Sequence, residues 1–129
     1  MKALLWLLLL CGAAFAQGQP LICNRTFQIS QGAVALTKII AGVSGQVISL
    51  CGWNAGAGAA AGTFQLQSGT GVNCGTGNAT VTPIYSLGIN GVQVDHSIYA
   101  SISLPQGNDL CLVTTGTGPT TLIIYYLQQ

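Results

Sequence analysis

The sequence predicts an all-β chain, a single antiparallel β-sandwich of jelly-roll type, and three observations carry that prediction. Short runs rich in Val, Ile, Thr and Tyr recur along the chain, and these residues fit a pleated, half-buried surface. Gly, Asn and Pro stand between the runs, with 18 Gly in 129 residues, which is the punctuation of turns. No segment repeats its apolar residues at helical spacing. The crossover helices that a parallel sheet requires are therefore missing, and the strands must pair antiparallel.

The elements follow in order. Cys23 to Ser30 reads as a first strand and Ala33 to Ala41 as a second, with Lys38 near its middle. Ser44-Gly45 turns the chain into a third, Gln46 to Trp53. Gly56 to Gly62 reads as a loop despite its four Ala, because each Gly weakens a helix by about 1 kcal/mol. Thr63 to Ser68 sets Phe64 and Leu66 against Thr63, Gln65 and Gln67, the period of a half-buried strand. Thr80 to Leu87 is a further strand, and Pro83 places it at a sheet edge, since Pro cannot donate to a ladder. Asn90-Gly91 predicts a hairpin between Tyr85 to Ile89 and Val92 to Val94. Ser97 to Leu104 alternates with Ile98, Ala100, Ile102 and Leu104 on one face. Pro105 to Asn108 is a turn, and the strands Leu110 to Thr115 and Thr120 to Leu127 close the domain. That makes about eight or nine short strands at regular spacing. The expected core is Phe27, Ile29, Val34, Ile40, Val47, Phe64, Leu66, Ile98, Ile102, Leu110, Leu112, Leu122 and Ile124.

Ahead of this domain the chain reads as an export signal. Met1-Lys2 gives a positive start, Ala3 to Leu10 an apolar core, and Ala14-Phe15-Ala16 a small-x-small cleavage site,. The apolar run is too short to span a bilayer. Residues 1–16 are thus a signal peptide and 17–129 the β-sandwich domain, a mature chain of 113 residues (129 minus 16). Cys11 lies inside the signal, and Leu10 before it is a poor lipidation context. Export to an oxidising compartment makes Cys23, Cys51, Cys74 and Cys111 disulfide candidates. Four cysteines allow three pairings. Cys51 and Cys111 fall on strands expected to be central, which predicts Cys51 with Cys111 and Cys23 with Cys74. Cys74 sits amid Gly69-Thr70-Gly71 and Gly75-Thr76-Gly77, where a bridge removes much conformational freedom.

Charge excludes whole classes of partner. The mature chain keeps Arg25 and Lys38 against Asp95 and Asp109, a net charge of zero. No basic patch exists to hold a phosphate backbone, so nucleic acid is not a partner. Only 4% of residues are charged, which leaves little electrostatic protection against association. Either the protein assembles as a homo-oligomer, or Thr, Ser, Asn and Gln keep its surface soluble.

The chemistry-bearing residues are few. Asp95-His96-Ser97 holds the residue types of a hydrolase triad, but on a strand His96 faces away from its two neighbours. Asp95 and Asp109 are the only side-chain carboxylates, with nothing to place them across a glycosidic bond. There is no C-x-x-C, and exported cysteines pair with each other, so neither a metal nor another cofactor is expected. Trp53, Tyr85, Tyr99 and Tyr125 are the candidate ligand-binding residues, able to stack on a sugar ring where exposed. Tyr125-Tyr126 are adjacent and must face opposite ways. Asn24-Arg25-Thr26 and Asn78-Ala79-Thr80 match the N-glycosylation triplet.

One set of motifs carries a resemblance. It comprises Thr37 to Trp53 with its Ser44-Gly45 and Cys51-Gly52-Trp53, the loop Gly69 to Gly77 around Cys74, Gly107-Asn108-Asp109-Leu110-Cys111-Leu112, and Tyr125 and Gln128 in the last strand. In these the chain resembles small disulfide-containing β-sandwich proteins of tailed phages and environmental sequences, from about Cys23 onward. The resemblance implies a virion-associated or secreted structural or adhesive domain rather than an enzyme, and carries over no functional residue. The signal peptide departs from that setting, because virion proteins assembled in the cytoplasm need no export. The expectation is therefore a secreted, periplasmic or cell-surface protein, non-catalytic, acting on a virion or surface partner. The alternative is a small carbohydrate-binding module that meets cell-surface glycan through its aromatic residues.

Overall fold

The computed structural model describes residues 20–32 and 34–129; the expected signal peptide and Cys11 lie outside them. Ten strands fold into two antiparallel sheets: β1 (Arg25–Gln31), β2 (Ala35–Ile40), β3 (Ile48–Ala57), β4 (Gly62–Thr70), β5 (Thr76–Thr80), β6 (Tyr85–Leu87), β7 (Val92–His96), β8 (Ile102–Ser103), β9 (Asp109–Gly116) and β10 (Thr120–Gln128). The first sheet runs β1-β10-β3-β7, with β8 also on β3. The second runs β2-β9-β4-β5, with β6 also on β4. The chain passes from one sheet to the other at six of its nine connections, in the double Greek key order of a jelly roll.

The core lies between the sheets. The first sheet contributes Ile48, Leu50, Trp53, Ala55, Leu122 and Ile124; the second contributes Ile40, Phe64, Leu66, Leu87, Leu110 and Leu112. Phe27, Ile29 and Ile102 pack on it from the rim. Two expected core residues face solvent instead: Val34, 77% exposed, and Ile98, 59% exposed. Val34 precedes β2, and Ile98 lies on an irregular crossing between β7 and β8, so neither side chain is on a paired strand. Of the expected Ser97 to Leu104 strand only Ile102–Ser103 forms a strand, with Tyr99 making an isolated bridge to Ile22.

Two further differences are topological. Asn90-Gly91 does form a tight turn, with Gly91 N–H donating to the Gly88 carbonyl at 2.8 Å and Asn90 at positive φ. Yet β6 pairs β4 and β7 pairs β3, so the turn hands the chain between sheets and makes no hairpin. Pro83 divides the expected Thr80 to Leu87 strand into β5 and β6, both at the edge of the second sheet beside β4.

The disulfides are Cys23–Cys51 and Cys74–Cys111, not the pairing expected from centrality. The reason is the faces on which the two central cysteines lie. Tyr125 pairs Gly52 while Tyr126 pairs Leu50, leaving Cys51 as an extra residue in β3. Alternation after inward Leu50 points Cys51 to the outer face of the first sheet, and the extra residue then returns Trp53 and Ala55 to the inner face. Cys111 sits between inward Leu110 and Leu112 and points to the outer face of the second. The two thiols lie on opposite outsides of the sandwich and cannot meet. Each instead holds a segment against its own sheet: the chain before β1 on one side, the Gly71 to Gly75 loop on the other.

Candidate functional site

Gly52 creates the local geometry of the first sheet's outer face. Its φ is +150°, and a Cβ there would press into the Asp95 carbonyl. Only glycine lets β7 approach β3 so closely at the bulge. Beyond it, five unbroken pairs run from Gly52↔His96 to Gly56↔Val92. Residues opposite one another share a face. The outward set across β7, β3 and β10 is thus Val92, Val94 and His96, then Asn54 and Gly56, then Ile123 and Tyr125.

Within it His96 and Tyr125 meet edge to face, ring centroids 4.7 Å apart. Asn54 Nδ2 donates to the Tyr125 hydroxyl at 3.2 Å, while Asn54 Oδ1 is buried without a partner. Val92 and Val94 are 70% and 58% exposed. The apolar surface continues to Ile98 and to Tyr99, which bridges Ile22 of the segment held by Cys23. This face is wide, uncharged and rigid. It offers aromatic rings, β-branched side chains and one amide.

The four aromatic candidates divide. Trp53 is 2% exposed and belongs to the core, 5.8 Å from Tyr85 between ring centroids. Tyr85 in turn stacks on Phe64 at 5.0 Å. These three rings tie the sheets together, with Trp53 buried and Tyr85 half-buried. The bulge explains the burial, since it returns Trp53 inward two residues after Cys51. Tyr99 is 48% exposed and Tyr125 half-buried on the outer face; they remain available, and Tyr126 turns the other way, onto the core. Val92, Val94 and Asn54 were not anticipated. The Val92-x-Val94 alternation was visible, but nothing local says that an edge strand turns its apolar side out.

The titratable residues are dispersed. Ser97 Oγ accepts the Tyr99 amide at 3.1 Å, and among the described residues no hydrogen bond links Asp95, His96 and Ser97. Asp109 lies in the other sheet. Its carboxylate meets Lys38 Nζ at 2.8 Å and accepts the Gly42 amide at 2.7 Å. Burial pushes the Asp109 carboxyl up, but the hydrogen bonds from Lys38 and Gly42 and the Lys38 charge outweigh it and hold the group below its ordinary value. The role is structural: Lys38 pairs with Cys111 across the strands, and its amide bonds to Asn73 Oδ1. Among the described residues no group of three or more His, Cys, Asp or Glu could hold a metal. Between β4, β6 and β9 an open depression of about 470 Å³ is lined by Gly62, Thr63, Leu87, Thr115 and their neighbours. Its polar side chains are hydroxyls.

The fold and its two bridges define a class: a small jelly-roll sandwich stapled for an extracellular or periplasmic environment. No helix among the described residues is long and apolar enough to cross a membrane. No family model matches the chain, and no curated protein matches it. Among solved structures it is similar to the crystal structure of PirA, at a TM-score of 0.40 and 14% identity, over 81% of this chain and 94% of that one. At that distance the likeness assigns no function.

Proposed function

We propose that this protein is an exported, non-catalytic structural or adhesive module whose working part is the outer face of the first sheet. The observation that carries the reading is the run of exposed apolar side chains there, Val92, Val94, Ile98, Tyr99 and Ile22, on a sheet pinned by Cys23–Cys51. Scattered exposed apolar residues are ordinary; a contiguous patch marks a contact surface. The phage-like motifs favour a virion or host surface as the other party, and the signal peptide favours one met after export. Mass spectrometry of separated virions, cell envelope and cleared supernatant from a producing culture tests this. The expected species begins at Gln17 and is four hydrogens lighter than the reduced chain, bound to particles or envelope. Recovery only in the cytoplasm, with reduced thiols, overturns it.

A glycan-binding reading keeps one specific support, the partnerless Asn54 Oδ1 beside the Tyr125 hydroxyl. It requires a Tyr125→Ala variant to lose retention on a neutral polysaccharide column that retains the parent.

A further inference from the structure

The edge of the first sheet at β7 is open, and its geometry specifies what can close it. In β3–β7 the Ala57 amide donates to the Gly91 carbonyl and the Ser97 amide to the Cys51 carbonyl. In an antiparallel ladder hydrogen-bonded pairs alternate with non-bonded ones. Residues 91, 93, 95 and 97 therefore spend their main-chain groups on β3. The N–H and C=O groups of Val92, Val94 and His96 point the other way, and among the described residues none has a hydrogen-bond partner. These same three residues carry exposed side chains.

Natural sheets guard such edges with Lys, Pro or bulges. The other edges here follow that rule. Strand β2 carries Lys38 and a register shift beside it. Pro83 separates β5 from β6, and β5 has its own shift against β4. Strand β1 carries Arg25. Strand β7, Val92-Gln93-Val94-Asp95-His96, has no Lys, no Pro and an unbroken register.

We propose that β7 pairs antiparallel with β7 of a second copy of this chain, joining the two first sheets into one continuous sheet across a twofold axis. This rests on the surface-module reading and names a partner for it. The register follows from the outward groups. Val94 must face Val94 of the partner, and Val92 must face His96, so that bonded pairs meet bonded pairs and form about six main-chain hydrogen bonds. The side chains agree with that register. The two Val94 side chains meet on the outer face. On the other face, Gln93 comes opposite Asp95, amide against carboxylate, so the strand's one charge finds a donor and not its own copy. A twofold interface requires such self-complementarity, and a chain with zero net charge has no long-range repulsion to oppose it.

Sedimentation equilibrium on the mature, oxidised protein tests the pairing, with circular dichroism confirming that each variant is folded. The parent is expected to dimerise. Val94→Lys sets two ammonium groups face to face and should leave a monomer. Gln93→Lys sets a cation opposite each partner Asp95 and should tighten the dimer by about tenfold, given the usual worth of two cross-strand ion pairs, with the gain lost in high salt. Gln93→Asp should weaken it comparably. A parent that stays monomeric at about 100 µM overturns the proposal. So does a dimer unmoved by the folded Val94→Lys and Gln93→Lys variants, which would place self-association elsewhere. A monomeric parent that still partitions onto virions or envelope leaves the surface-module reading standing and removes only this partner.

Discussion

Removing the Cys74–Cys111 bridge is the sharpest test of how the second sheet is held. The bridge spans 37 residues, and loop-closure entropy for a cross-link of that length is worth about 4 kcal/mol. Both sulfurs are fully buried, so a Cys74→Ala/Cys111→Ala variant also loses packing under the Gly71 to Gly75 loop. With an unfolding entropy of ~2.1 cal/mol/K per residue over about 110 residues, 4 kcal/mol lowers Tm by roughly 15 °C. The Cys23–Cys51 bridge spans 28 residues, and its entropic worth differs by only a few tenths of a kcal/mol. Loop length alone therefore predicts nearly equal effects. Burial separates them, because Cys23 is only half-buried. Thermal melts of the two double-alanine variants should show both destabilised, with the Cys74/Cys111 variant lower. Peptide mapping without reduction should recover the same two pairs. A Cys74/Cys111 variant melting within about 3 °C of the parent, or a Cys51–Cys111 peptide, would refute the reasoning.

Other outcomes follow from single residues. Asp109→Asn should cost about 1 kcal/mol at pH 7, a modest figure because Lys38 is 36% exposed,. Since the folded Asp109 pKa lies below its unfolded value, that stabilisation is present above about pH 4 and fades as pH falls through the folded pKa. The gap between parent and variant in urea melts should shrink accordingly; a gap constant from pH 7 to pH 2 would remove the ion pair as its cause. Gly52→Ala forces a Cβ into the Asp95 carbonyl at φ +150° and should cost about 1–3 kcal/mol, with amide exchange fastest in β7; an unchanged melt would contradict the close approach. Trp53, the one Trp among the described residues, should emit as a buried indole and resist acrylamide quenching until unfolding. Trp53→Ala should cost about 3–5 kcal/mol, and easy quenching in the native state would place the ring outside the core.

The strands that carry the fold were legible because each has a strong local pattern. Phe64 and Leu66 alternate through β4, Leu110 and Leu112 through β9, Leu122 and Ile124 through β10, and all six are fully buried. Pairing partners were less legible, because they depend on distant segments. Asn90-Gly91 signals a turn whatever sheet the chain enters next, and only the competition of β4 and β3 for their neighbours decides that. The bulge at Gly52 was the costliest omission. One inserted residue reverses which side chains face inward for the rest of β3, and with it the burial of Trp53. The candidate site escaped for a related reason: Val92 and Val94 carry the alternation of a buried strand, and only their position at the sheet edge turns them into surface.

The Cys23–Cys51 bridge also sets how the domain transmits tension. Strand β1 lies antiparallel to β10, with Arg25 opposite Tyr126. A pull on the chain ahead of β1 would otherwise peel that strand away one rung at a time, the weakest way to load a sheet. The bridge diverts the pull before it reaches Arg25. Load enters at Cys51 and passes straight into β3, which lies between β10 and β7 and is hydrogen-bonded on both sides. A surface protein tethered through its leading segment would thus bear force on an interior strand of its sheet while β1 stays slack, and reducing agents would disarm it mechanically.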